Sequence, residues 1–120
     1  MKYIYITLLL ASLNSFGQLV KVDYADASQK LEGFFAKAKK NPKNIGVVVL
    51  PAWMGVDAHA KESAENLSKL GYHAFVADIY GVGNNPTNTA EAGKNAGFYK
   101  NNPAEYQKRI QLAIGQLVKA

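Results

Sequence analysis

Few side chains in this sequence can do covalent or metal chemistry. The chain has two histidines and no cysteine. A thiolate zinc site, an iron–sulfur centre, a disulfide framework and a cysteine nucleophile are therefore excluded within these residues. His59 follows Asp57 at what reads as a helix start. A histidine ligand needs partners at metal spacing, and none accompanies it, so a surface or pocket-supporting role is expected and no metal. His73, beside Tyr72 at a strand start, reads as structural. Trp53 and Met54 occupy a strand-to-helix loop, where two apolar side chains either wall a pocket or cap a core; the residues alone leave both open. The segment 81–86, GVGNNP, follows a strand as a dinucleotide-binding loop does. It ends in proline and opens no helix, so it fails that fingerprint.

A net charge of +5 from 14 Lys+Arg against 9 Asp+Glu suggests a nucleic-acid partner only until the positions are considered. Arg109 is the single arginine, and Lys37, Lys39, Lys40 and Lys43 form the one cluster, around the turn proline Pro42. With no interleaved aromatics and no recognition-helix pattern, this cluster reads as a solvated turn, and no nucleic-acid partner is expected. At 120 residues and 48% hydrophobic, the chain has the composition of one globular domain.

The N-terminal stretch has a cationic start at Lys2, an apolar run over 4–11 and a polar, small-residue segment ending in Ser15-Phe16-Gly17. The run is too short for a spanning helix of about 20 residues, and Ser15 and Gly17 supply the small side chains of a cleavage site before Gln18. Residues 1–17 are expected to be a signal peptide. The product is then exported, periplasmic or secreted, with no membrane association once the signal is removed.

Beyond that segment the hydrophobic period changes several times. Leu19, Val20, Val22 and Tyr24 predict a strand, 31–38 a second, and the polar residues 26–29 a hairpin between them. Residues 45–50, IGVVVL, form a β-branched apolar run of the kind buried on both faces in a parallel, helix-covered strand. Pro51 ends it. Asp57 then offers an N-cap to a helix with Ala60, Ala64, Leu67 and Leu70 at helical spacing and Gly71 as its stop. Residues 72–78 predict a further buried strand, so that strand, helix and strand form one crossover unit. A turn-rich loop over 81–89, a helix over 90–100 and a last helix over 104–120, with Tyr106, Ile110, Ala113, Ile114 and Leu117 in one stripe, complete the pattern. In this topology 45–50 lies at an open sheet edge with neither charge nor proline to protect it. Completion by residues outside the chain, or truncation of a longer domain, is the expectation.

The stretch 46–81, GVVVLPAWMGVDAHAKESAENLSKLGYHAFVADIYG, resembles the dienelactone hydrolase family of α/β-hydrolases. The resemblance is carried by a hydrophobic strand, a proline-led loop with an aromatic and a glycine, an amphipathic helix ending in Leu-Gly-Tyr, and Asp78-Ile79-Tyr80-Gly81 closing the next strand. It implies an α/β fold with a mostly parallel sheet, an antiparallel N-terminal ribbon and helices on both faces, truncated before the nucleophile strand. Residues 18–120 would be the N-terminal half of such a domain.

Members of the family hydrolyse small esters or lactones with a cysteine or serine on a glycine-flanked elbow, completed by an aspartate and a histidine, and the resemblance calls for no cofactor. None of that trio is assignable here. All five serines lack glycines two residues before and after, and both histidines lie upstream of the family's base. The resemblance instead implies that the Trp53 backbone N–H is one oxyanion donor, flanked by Ala52 and Met54 at the substrate. Ala52 replaces a glutamate common in the family, which sets aside its usual thiol-activation scheme. Lys94 falls near a basic position that some members use for a substrate carboxylate, with Phe98 or Tyr99 near an aromatic one; a solvated helix lysine is the competing account. A backbone oxyanion donor is worth about 3 kcal/mol of barrier, whereas loss of a nucleophile costs on the order of a millionfold in rate. The 120-residue chain alone is therefore expected to be inactive. The second expectation is a non-catalytic exported α/β module that binds through the Trp53 loop and the open edge. Oligomeric state is not legible.

Overall fold

The computed structural model describes residues 19–120; the expected signal segment lies outside them. Strand β1 (Leu19–Asp26) turns through Ala27 and Ser28 into β2 (Gln29–Ala36), in register from Leu19 opposite Ala36 to Asp26 opposite Gln29. Strand β3 (Gly46–Val49), helix α1 (Ala58–Lys69) and strand β4 (His73–Val76) form the crossover unit, with β3 and β4 parallel. Helices α2 (Thr89–Asn101) and α3 (Pro103–Lys119) follow.

The sheet order is β1-β2-β4-β3. β2 meets β4 antiparallel, so among the described strands the expected parallel character resides in the β3–β4 pair alone. As the sequence implied, β3 lies at the edge. Its burial is less than a two-sided strand would have: Val47, Val48 and Val49 are half-buried, and the flanking Ile45 and Leu50 are 40% and 44% exposed.

Alternation along β4 divides the core. Ala74 and Val76 face Ala60, Ala64 and Leu67 of α1, where small side chains let the helix approach the sheet closely. Phe75 and Ala77 face Tyr106, Ile110, Ala113 and Leu117 of α3 on the other side. Burying Phe75 alone is worth roughly 1.5–3 kcal/mol. The Asp57 carboxylate accepts from the Ala60 N–H at 2.9 Å, giving α1 the N-cap its sequence called for. Gly71, at φ +99, takes the left-handed stop. Two side chains of the expected stripes fall outside the core: Leu70 sits at the α1 C-cap, 73% exposed, and Ile114 turns away from the sheet, 37% exposed. Among the described residues no helix is long and apolar enough to cross a membrane.

Candidate functional site

The loop after β3 is built as a tight turn. Pro51 cannot donate to a ladder, and the Gly55 N–H donates to the Ala52 carbonyl at 2.9 Å, closing residues 52–55. Gly55 adopts φ +76, and a Cβ there would meet Asn85 Oδ1 at 2.5 Å and Tyr80 Cδ2 at 3.2 Å, so the position needs glycine for both conformation and space. The Ala52 carbonyl and the Trp53 N–H belong to one trans peptide and point in opposite directions. Engaging the carbonyl inside the turn therefore aims the N–H outward. That N–H joins no strand ladder and meets no protein acceptor among the described residues. The next peptide is fixed as well: the Trp53 carbonyl accepts from the Tyr80 hydroxyl at 2.9 Å.

Tyr80 is itself held by the corner after β4. Asp78 accepts from the Glu32 N–H and the Gly81 N–H, each at 2.9 Å, and its own N–H donates to the Tyr24 hydroxyl at 3.0 Å. Arg109 donates from Nη1 to the Ile79 carbonyl at 2.9 Å and from Nε to Asp26 at 2.8 Å. Lys108 Nζ lies 2.7 Å from the other Asp26 oxygen. Burial pushes the Asp78 carboxyl above the ordinary carboxylate range, against the pull of its two backbone donors. The hydrogen bond from Lys108, joined by that from Arg109, holds Asp26 below that range despite its burial. Burial also raises the Tyr24 phenol to about 12 and moves Tyr80 and Tyr99 upward, so these phenols are neutral at physiological pH.

Between the two loops lies a cleft of about 340 Å³. Ala52, Trp53 and Gly55 line it together with Tyr80, Tyr99 and Tyr106. Ring centroids of Tyr80 and Tyr99 are 5.6 Å apart and those of Tyr99 and Tyr106 6.3 Å, so the three phenols form one packed group. Of the residues singled out from sequence, Ala52, Trp53 and Tyr99 come together here.

Met54 and Lys94 do not line the cleft, and Lys100 supplies its cation. Five positions along a helix rotate a side chain about 140°, which carries Lys94 away from Tyr99, whereas Ala96, Tyr99 and Lys100 share a face. Phe98 is 52% exposed and packs edge-on to Tyr99. His59 is exposed on α1. His73 Nδ1 accepts from the Ala38 N–H at 3.0 Å, the structural role expected of it.

Sequence reasoning missed Tyr80, Lys100 and Tyr106 as lining residues. Tyr80 stood in the quoted Asp-Ile-Tyr-Gly motif, Tyr106 was absorbed into the core stripe, and Lys100 was discoverable from its spacing to Ala96. The lysines around Pro42 border a separate, open depression of about 620 Å³, which shares no lining residue with the cleft.

Comparison with known proteins agrees with this architecture. The model of the dienelactone hydrolase family matches residues 31–119. A dienelactone hydrolase-like promiscuous phosphotriesterase from metagenomic libraries is 32% identical with a TM-score of 0.75, over 84% of this chain and 42% of its own. The structure named m3DLH is 26% identical with a TM-score of 0.78, over 86% of this chain and 43% of its own. The chain thus spans less than half the length of either structure, and no curated protein matches it. With most of its residues inside the family match, and with the turn, crossover and Asp-Ile-Tyr-Gly corner described above, the chain belongs to the dienelactone hydrolase family.

Proposed function

We propose that this chain is the oxyanion-loop half of an exported hydrolase acting on small carboxylic esters or lactones, with nucleophile, base and acid supplied by residues outside it. The observation that carries the reading is the Trp53 N–H, directed out of a closed turn beside a cleft and left without a protein acceptor. A donor held this way stabilises a developing oxyanion without reorganising in the transition state. Export is supported by Lys2, the apolar run 4–11 and the small residues Ser15 and Gly17. The substrate is a small molecule, and neither nucleic acid nor membrane takes part.

Substitution at Trp53, made in the gene product read past Ala120, tests the reading. Proline is favoured at the second position of such a turn, so Trp53→Pro deletes the donor while keeping the turn; Trp53→Ala deletes only the indole. The expected result is a kcat for Trp53→Pro about 100- to 1,000-fold lower, with Trp53→Ala changing mainly KM. Equal kcat losses would refute the donor role. The 120-residue chain alone should show no ester hydrolysis above buffer, and a clear rate from it would overturn the placement of the nucleophile outside these residues.

A further inference from the structure

The indole of Trp53 occupies an unusual position for the only tryptophan of the chain. It lines the same cleft as Tyr80, Tyr99 and Tyr106, of which Tyr99 packs against both others, yet it is 48% exposed and makes no ring contact of its own among the described residues. The loop is not slack, since the 52–55 turn and the Tyr80 hydrogen bond hold both peptides at Trp53. The indole is thus carried on a held backbone and presents a ring with no aromatic partner among the described residues. Aromatic rings attract one another at offset or edge-on geometry beyond their shared area, by about 0.5–1.5 kcal/mol per pair.

Charge narrows the missing partner. Aromatic faces attract cations, so a ring-lined cleft would ordinarily suit an ammonium group. Here Lys100 stands at the lining and no carboxylate accompanies it. A cationic guest meets a like charge, while a neutral or anionic ring does not.

We infer that the cleft selects esters carrying a planar aryl group, seated between the Trp53 indole and the Tyr80, Tyr99 and Tyr106 rings, and discriminates against cationic aryl compounds. This rests on the hydrolase reading for the word ester, and names the substrate class of that site. The ring also delivers the ester carbonyl to the loop that bears the Trp53 N–H, so recognition and oxyanion binding share one residue.

Binding to the whole chain, followed through the single indole Nε1–H resonance of Trp53 and the Tyr80 and Tyr99 amide resonances, tests this without requiring turnover. The probes are phenyl acetate, cyclohexyl acetate of similar size but neither planar nor aromatic, and benzyltrimethylammonium. Phenyl acetate should shift all three resonances saturably and bind about threefold to tenfold more tightly than cyclohexyl acetate. Benzyltrimethylammonium should bind more weakly than phenyl acetate, and Lys100→Met should narrow that gap. Tyr99→Leu, which keeps apolar volume and removes the ring, should erase the aryl preference. Equal affinities for the two esters, preferred binding of the cation, or shifts confined to residues outside the cleft would each overturn the inference. Such a failure leaves the hydrolase reading standing if Trp53→Pro still lowers kcat. Aryl selectivity with equal kcat losses for Trp53→Pro and Trp53→Ala would instead retain the ligand class and reject the donor role.

Discussion

The Tyr80 hydroxyl donates to the Trp53 carbonyl oxygen across 2.9 Å, joining the loop after β4 to the loop after β3. The two residues are 27 positions apart, and the bond makes the corner of one strand the support for the turn of the other. Tyr80→Phe keeps the ring among Tyr99 and Tyr106 and removes only this tie. A stability loss of about 1 kcal/mol is expected, with faster amide exchange concentrated at residues 53–55. Uniformly faster exchange across the chain would assign Tyr80 to general packing instead.

Gly55 should tolerate no side chain. An alanine there is strained at φ +76 and its Cβ must displace Asn85 Oδ1 and the Tyr80 ring edge. Gly55→Ala should lower stability by about 1–3 kcal/mol in denaturant titration. Gly83→Ala is the matched control: it also lies at positive φ, +87, with nothing near its Cβ, and should be the milder of the two.

Arg109 and Lys108 share Asp26 unequally. Arg109 is buried and also satisfies the Ile79 carbonyl, whereas Lys108 is 55% exposed. Arg109→Met leaves one oxygen of the buried Asp26 carboxylate and the Ile79 carbonyl without their donor, with only the exposed Lys108 still on Asp26, and about 3 kcal/mol of destabilisation is expected. Lys108→Met should cost less than about 1 kcal/mol. Chemical unfolding of both variants checks the ratio.

Acid stability follows from two carboxyls with opposite shifts. Asp26 is held below the ordinary carboxylate range, so the folded chain binds that proton less readily than the unfolded one. Its contribution is complete above the ordinary range and is lost as pH falls through the lowered value. Asp78 is raised by burial, so between the ordinary range and its raised value acidification favours the folded state on its account. Urea midpoints should hold or rise slightly on mild acidification and then fall at more acid pH. Asp26→Asn, less stable at neutral pH, should flatten that final fall; an unchanged acid limb would remove Asp26 as its cause.

The free side of β3 should drive self-association of the 120-residue chain. β3 pairs with β4 alone among the described strands, and Ile45 and Leu50 are exposed at its ends. Sedimentation of the chain should show concentration-dependent assembly, reduced by Ile45→Lys with Leu50→Lys. A single monomeric boundary at all concentrations would count against it.

Local order was largely legible in the residues, because local signals carry it. The Asp57 cap, the Gly71 stop and the hairpin follow from side-chain chemistry and hydrophobic period over a few neighbours, whereas the edge position of β3 followed from the assumed topology, against a local period that read as buried on both faces. Arg109 was legible only in part: it sits three residues after Tyr106 and four before Ala113 on the buried side of α3, yet its partner Asp26 is 83 positions away and carries no local mark. A separation of 27 positions likewise hides Tyr80 from Trp53.

Residue types and periods therefore determined that this chain is an α/β unit, that no cysteine chemistry occurs within it, and the order of its strands and helices, with β2 starting two residues earlier than expected; the family followed from the resemblance of 46–81 and the family match. Which side chains share the cleft was decided only by folding. Six positions along α2, a rotation of about 120°, exchange Lys94 for Lys100. Closure of the 52–55 turn, together with a corner fixed from three other elements, sets the Trp53 amide where it stands. Those are properties of packing between distant segments, and a linear order of residues contains them only implicitly.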